Sequence, residues 1–369
     1  MHPPGILAAD LRAYARAVGF DLVGITTAGP FPTAHAAMSD RLDRGYFEGS
    51  DWFGRERIWA STHPGERHPW ARSVVALGLA YAPATPRDGD RPTCVPSRAI
   101  VARYARGVDY HRLMRQRLRG VAAWLDEHGG PAARSQWSFD AGWLADRAVA
   151  RRAGLGVYGD NSCIVVPGFG SWVLLGAVIT SVDLPADQPA VGRCEQCGAC
   201  LSACPTGALV APGVVDASRC VSYLTLELAG TIPPRMRTAI GNRLVGCDTC
   251  QDVCPNNSGA RLASVPDLLT PLGIGASPDA AELLALSAAD FDRRFKGTVV
   301  WRLGRERMAR NAAVVLGNAG GEGAVAALTE ALGDPSTMVR EHAAWALRRL
   351  GGSAAGDSAG AAHPQPVNP

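Results

Sequence analysis

The chain has almost no lysine: Lys296 is the only one among 37 basic residues. Against 34 acidic residues the formal net charge is just +3, which excludes a histone-like polycation. Arginine, which supplies the remaining positive charge, still binds phosphate and stacks on bases better than lysine does. The N-terminus lacks a basic segment leading into an apolar run and a small-residue cleavage site, so no secretory signal is expected and the protein is expected in the cytoplasm. Long apolar runs are also missing. Ser162 to Val182 is uncharged, but Pro167, Gly168, Gly170 and Ser171 break it. That pattern excludes a membrane helix and predicts two buried strands joined by a tight turn. No Gly-x-Gly-x-x-Gly fingerprint follows a strand, so no motif indicates a tightly bound flavin or nicotinamide.

What is present is a globular composition, 47% apolar and 19% charged, over 369 residues, enough for two or three compact units. The spacing of apolar residues predicts a helix over Leu7 to Val18 and strands over Phe20 to Thr26 and Ser73 to Tyr81. A loop is expected from Pro83 to Pro96, a long helix from Arg103 to His128 entered through an aromatic turn, and a second helix from Asp140 to Ala153. From Pro185 the composition shifts to Cys, Gly and Pro, too poor in aliphatics for an ordinary core, so metal is expected to organise it. Beyond Asn257 the chain reads as helical. Ala312-Ala313-Val314-Val315-Leu316 before Gly320-Gly321 is echoed 31 positions later by Ala343-Ala344-Trp345-Ala346-Leu347 before Gly351-Gly352. That period resembles helical-pair repeats of the HEAT type, with a plain helical hairpin as the alternative. Gly351 to Pro369 is expected to be a disordered tail.

Of ten cysteines, eight fall between Cys194 and Cys254, which in a reducing compartment points to metal before disulfides. Cys194-x2-Cys197-x2-Cys200-x3-Cys204-Pro205 is the spacing that wraps three thiolates round one iron–sulfur cube and sends the fourth elsewhere. A split version follows, with Cys220 alone and then Cys247-x2-Cys250-x3-Cys254-Pro255. In bacterial two-cluster ferredoxins the cysteine before proline ligates the other cube. One [4Fe–4S] cluster is therefore expected on Cys194, Cys197, Cys200 and Cys254, and the other on Cys204, Cys220, Cys247 and Cys250. The alternative is a pair of zinc sites, but these rarely need a third cysteine at such short spacing. Cys94 and Cys163 have no assigned role.

Several further stretches, taken with the cysteines, resemble one family, the epoxyqueuosine reductases. They are Tyr104-Ala105-Arg106-Gly107-Val108-Asp109-Tyr110-His111, Asp140 with Arg147, Ala153-Gly154-Leu155-Gly156, Gly170-Ser171-Trp172, Arg219-Cys220-Val221-Ser222-Tyr223-Leu224-Thr225, Gly246-Cys247-Asp248-Thr249-Cys250-Gln251-Asp252-Val253-Cys254-Pro255 and Arg310-Asn311-Ala312. The resemblance implies an α+β protein: a mixed α/β cobalamin-binding catalytic domain over 1–184, a ferredoxin-like domain with two [4Fe–4S] clusters over 185–258, and a helical HEAT-like domain over 259–350, before the tail 351–369. It implies reduction of the epoxide of epoxyqueuosine to queuosine at the wobble position of transfer RNA, by an oxidoreductase that uses cobalamin and draws electrons from an external donor protein. A monomer with no membrane partner is expected.

By the same resemblance Asp140 is the proton donor. A carboxyl beside an apolar corrin face would stay protonated, although a helix N-cap is the alternative from local sequence. Arg103, Asp140, Ile164, Leu175, Ser222 and Asp248 are the expected cobalamin contacts, and Tyr104 is another possible source of the proton. The chain departs from the family pattern at Trp143, Asp146, Asp160 and Asn256. These departures keep two other readings open, a corrinoid reductase of small molecules similar to reductive dehalogenases and a non-enzymatic electron-transfer or corrinoid-handling protein. Arg98 to Arg119 holds seven arginines and one acid, Asp109, with Tyr104 and Tyr110 interleaved. That combination suits an anticodon loop as well as a solvated helix face.

Overall fold

The computed structural model describes residues 4–82, 96–140, 142–263, 265, 268 and 274–356. Most of the loop expected from Pro83 to Pro96, Cys94 within it, and residues 357–369 of the expected tail lie outside the described residues.

Four strands, β1 (Leu22–Thr27), β2 (Ser73–Ala80), β3 (Ser135–Phe139) and β4 (Val173–Thr180), form an antiparallel sheet in the order β1-β2-β4-β3. β2 lies in the middle, buried along its whole length. Its side chains alternate between two apolar layers, as the two-residue repeat of a strand requires. Val75, Leu77 and Leu79 face helices α1 (Pro4–Ala17) and α2 (Tyr110–His128), packing with Leu7, Leu11, Met114 and Leu118. Val74 and Ala76 face the other way, toward Ala148 and Val149 of helix α3 (Asp146–Arg152). Each fully buried Leu or Met in these layers contributes about 1.5–3 kcal/mol relative to an exposed one. Gly176 of β4 lets α2 approach closely: a Cβ there would lie 2.9 Å from Met114 Cε and 3.0 Å from Leu118 Cδ1.

Two sequence expectations need correction. The helix read as starting at Asp140 starts at Asp146, because β3 runs to Phe139 and Asp140 turns with φ +48°. The strand pair read over Ser162 to Thr180 is not one hairpin: Ile164–Val165 pairs with Val157–Tyr158, whereas β4 pairs with β2 and β3. The segment between β1 and β2, which carried no clear signal, holds helices Pro32–Asp43 and Arg55–Thr62.

The cysteine-rich segment is made of short helices, short strand pairs and turns, and is fastened by polar contacts to the chain just before β4. Asn257 Oδ1 accepts from the Ser171 N–H at 2.6 Å, and its Nδ2 donates to Gln251 O at 2.7 Å and Ser171 Oγ at 2.9 Å. Gln251 Nε2 donates to Ser171 O at 3.1 Å. Helices α4 (Arg305–Ala319), α5 (Ala324–Glu330) and α6 (Thr337–Gly356) close the C-terminal part. The two echoed alanine-rich stretches lie on α4 and α6. Where a disordered tail is expected from Gly351, α6 continues to Gly356. Arg310 on α4 reaches the cysteine-rich segment, its guanidinium donating to the carbonyls of Leu224 (2.9 Å), Leu228 (2.7 Å) and Gly230 (2.5 Å). Leu224 lies within the π-turn Tyr223–Glu227 that follows Cys220, Leu228 caps it and Gly230 lies just beyond. Among the described residues no helix is long and apolar enough to cross a membrane.

Candidate active site

Asp140 leaves the end of β3 in the left-handed region, which for a non-glycine residue is held by its surroundings rather than chosen. Its Oδ2 accepts from Tyr110 Oη at 2.7 Å and lies 2.6 Å from His111 Nε2. The other imidazole nitrogen, His111 Nδ1, lies 2.6 Å from Asp109 Oδ1. Asp109 also caps α2, accepting from the His111 N–H at 3.0 Å. Ionised carboxylates only accept hydrogen bonds, so an imidazole held between two of them carries both protons and is cationic.

The electrostatics agree with that geometry. Burial would push the His111 pKa down, but the hydrogen bonds to Asp109 and Asp140 outweigh it and raise the value. Burial would push Asp140 up, yet the hydrogen bonds from His111 and Tyr110 hold it below the usual carboxylate range, and Asp109 is lowered against its own burial by His111. The expectation of an apolar site that keeps Asp140 protonated therefore gives way to an ion pair, with the proton on the neighbouring ring. Asp146, one of the departures from the family pattern, does carry a strongly raised carboxyl, pushed up to about 8 by burial and by the charge of Asp140.

Asp140 and Asp146 line a cavity of about 780 Å³. Its walls include Phe31, Met38, Trp52, Phe53 and Leu144, with Arg41, Arg147 and Ser162 among the polar groups. Arg147 Nη1 donates to Ser162 O at 2.6 Å and Oγ at 3.0 Å, and Arg57 donates to the Gly142 carbonyl beside Asp140. On another side stands Asp160, whose backbone N–H donates to Cys194 Sγ at 3.3 Å. One cavity thus meets both the Asp140 ion pair and the cysteine-rich segment.

Of the expected cobalamin contacts, only Asp140 lines this cavity. Arg103 is buried, with its Nη1 3.2 Å from Asp248 Oδ2 and 2.5 Å from Asp252 Oδ1 and its guanidinium over the Trp172 ring. Asp248 is that buried partner, pushed up to about 6 chiefly by burial. Ile164 and Leu175 come together in the apolar layer behind α3, and Ser222 precedes the π-turn after Cys220. His111, Arg41, Trp52 and Phe53 were absent from the expected set. His111 had a signal, sitting in the motif between Asp109 and α2, whereas the residues between β1 and β2 had none.

Several of the thiols lie within electrostatic reach of one another. Cys220 is raised by burial, with Cys247 and Cys204 among its neighbours, and Cys250 likewise has Cys163, Cys247 and Cys220 close by. Cys200 has Cys254. Cys163, pushed up to about 11 by burial, has Cys220, Cys254 and Cys200 near it. Asn256 places Nδ2 3.8 Å from Cys254 Sγ. The arginines of residues 98–119 do not form one stripe: Arg103 is buried, Arg106 and Arg117 donate to the Val101 and Gly19 carbonyls, and Arg112, Arg115 and Arg119 are exposed on one face of α2.

Comparison with known proteins completes the picture. Residues 193–257 match the family of 4Fe-4S double cluster binding domains, 62–141 match epoxyqueuosine reductase QueG, DUF1730, and 281–359 match HEAT repeats. The last match favours the repeat over the plain hairpin, and the first favours iron–sulfur clusters over zinc. Epoxyqueuosine reductases of Xanthomonas campestris pv. campestris and Bacillus subtilis are each 39% identical to the chain, over 94% and 93% of its length and 97% and 87% of theirs. A crystal structure of epoxyqueuosine reductase with an epoxyqueuosine-modified tRNA-Tyr stem loop superposes with a TM-score of 0.86 at 37% identity, covering 95% of this chain and 92% of that one. With kinship of this extent on top of the double-cluster segment, the chain belongs to the epoxyqueuosine reductase family, whose members work with cobalamin and two [4Fe–4S] clusters.

Proposed function

We propose that this protein reduces the epoxide of epoxyqueuosine in transfer RNA, giving queuosine and water from two electrons and two protons. The observation that carries the reading is the shared cavity, bordered by the Asp140–His111 pair on one side and by Asp160 on Cys194 on another. A proton source and an electron source meet in one space.

The cavity suits cobalamin. Its walls are apolar enough for a corrin face, and Arg41 and Arg147 suit an amide and phosphate periphery. Trp52, Phe53, Arg41, Arg147 and Ser162 would hold the group, which supplies a low-valent cobalt that no side chain can replace. Asp140 faces the departing oxygen and delivers a proton that reaches it from the His111 imidazolium. Tyr110 holds Asp140 in place. Asp109 keeps His111 charged and oriented from the first turn of α2. Cys194, Cys197, Cys200 and Cys254 hold one cluster and Cys204, Cys220, Cys247 and Cys250 the other; the cysteine spacing and the nearness of Cys254 to Cys200 and of Cys204 and Cys247 to Cys220 support this. Electrons enter from an external donor protein, the chain acts as a monomer, and a transfer RNA substrate places it in the cytoplasm. Exposed Arg112, Arg115 and Arg119 suit phosphate contacts.

The test is mass spectrometry of transfer RNA from a strain lacking the gene. Epoxyqueuosine should accumulate and disappear on complementation. Unchanged queuosine in the deletion strain overturns the reading.

A further inference from the structure

Asp160 is a carboxylate in an unusual position. It is only 6% exposed, and it contacts the cysteine-rich segment twice through its backbone: its N–H donates to Cys194 Sγ at 3.3 Å, and its carbonyl accepts from the Gly213 N–H at 2.9 Å. The next residue, Asn161, reaches the Cys250 carbonyl with Nδ2 at 3.5 Å. Asp160 cannot swing away without giving up both backbone bonds. The residue also lines the cavity.

From this placement we infer that Asp160 sets the reduction potential of the cluster nearest the cavity, the one held by Cys194 and Cys200, and makes it a stronger electron donor. The inference rests on the reading that these cysteines carry a cluster that feeds the cavity. A [4Fe–4S] cube takes up one electron on reduction and becomes more negative by one charge. A fixed carboxylate beside its ligands disfavours that added charge and lowers the potential. The backbone N–H on Cys194 acts the other way, drawing charge off the sulfur. The two effects reside on different atoms of one residue, so D160N removes the charge and leaves the N–H in place.

The experiment is an EPR-monitored redox titration of anaerobically reconstituted protein, without cobalamin or RNA, for the parent, D160N and D160E. One midpoint should rise in D160N by at least a tenfold change in the reduction equilibrium, about 59 mV for a one-electron couple, while the other midpoint stays put. D160E, which keeps the charge, should match the parent at both. Unchanged midpoints in D160N, equal movement of both, or a D160E shift as large as that of D160N overturns the inference. If D160N fails to hold the parent's iron, D160S takes its place: one raised midpoint supports the inference, and parental midpoints overturn it. Because no RNA turnover is read, failure here leaves the proposed activity standing, and absence of that activity leaves the potentials to be judged on their own.

Discussion

His111 Nε2 lies 2.6 Å from Asp140 Oδ2 while its Nδ1 lies 2.6 Å from Asp109 Oδ1, so one ring is shared between two carboxylates. Asp140→Asn keeps the shape and the bond from Tyr110 but cannot pass on an acidic proton. Epoxide reduction with excess reductant should fall by about a hundredfold to ten-thousandfold, the usual contribution of a general acid, with cluster content unchanged. Turnover within a few-fold of the parent would reduce Asp140 to a spectator.

His111→Gln should separate the ion pair's effect on stability from everything else. The imidazole pKa is raised above its ordinary 6.5, so its stabilisation is complete below that value and fades as pH climbs through the folded value. Asp109 and Asp140 are lowered from 3.8, so theirs is present above that value and fades as pH falls through the folded values. The difference in Tm between parent and variant should be largest between these limits and shrink on both sides. A difference independent of pH would contradict the ion pair.

Single cysteine variants should sort into two groups. Each should lose one cluster, about four of eight irons, with Cys204→Ala sparing the same EPR signal as Cys247→Ala, and Cys254→Ala the same as Cys197→Ala. Iron analysis with EPR checks this. If Cys204→Ala instead resembled Cys197→Ala, the exchange of the proline-linked cysteines would be wrong.

Asn257→Ala removes an acceptor for Ser171 N–H and two donors to Gln251 O and Ser171 Oγ, all buried. Leaving such groups unpaired costs about 1–3 kcal/mol each at most. Chemical denaturation should show the cysteine-rich segment loosening first, as iron loss ahead of the main unfolding transition.

The double-cluster segment was legible because a cube demands fixed short spacings along the chain. The sheet was legible in β1, β2 and β4 because a buried strand shows as an apolar run. The start of α3 was misread since Asp140 resembles a cap, and only the long-range contacts of Asp140 with α2 reveal that the chain is still leaving a strand there. The cavity wall from Phe31 to Arg57 left no trace because its helix Pro32–Asp43 buries no residue fully and so shows no periodic apolar face. The protonation of Asp140 depended on His111, 29 residues earlier, which no local pattern connects to it.

Arg310 has a consequence for the order in which the protein is made. Cys220 stands 16 residues from Cys204 and 27 from Cys247, so no neighbouring cysteine fixes its place. The π-turn after it and the residues just beyond present carbonyls that are satisfied by a guanidinium 80 to 86 residues further on, so deeply buried that its pKa is brought down to about 9. While the ribosome is still reading the region between, that turn has no clasp. Iron delivered to the nascent chain would meet an unfinished site, and the cell has reason to load this cluster only after α4 has left the exit tunnel.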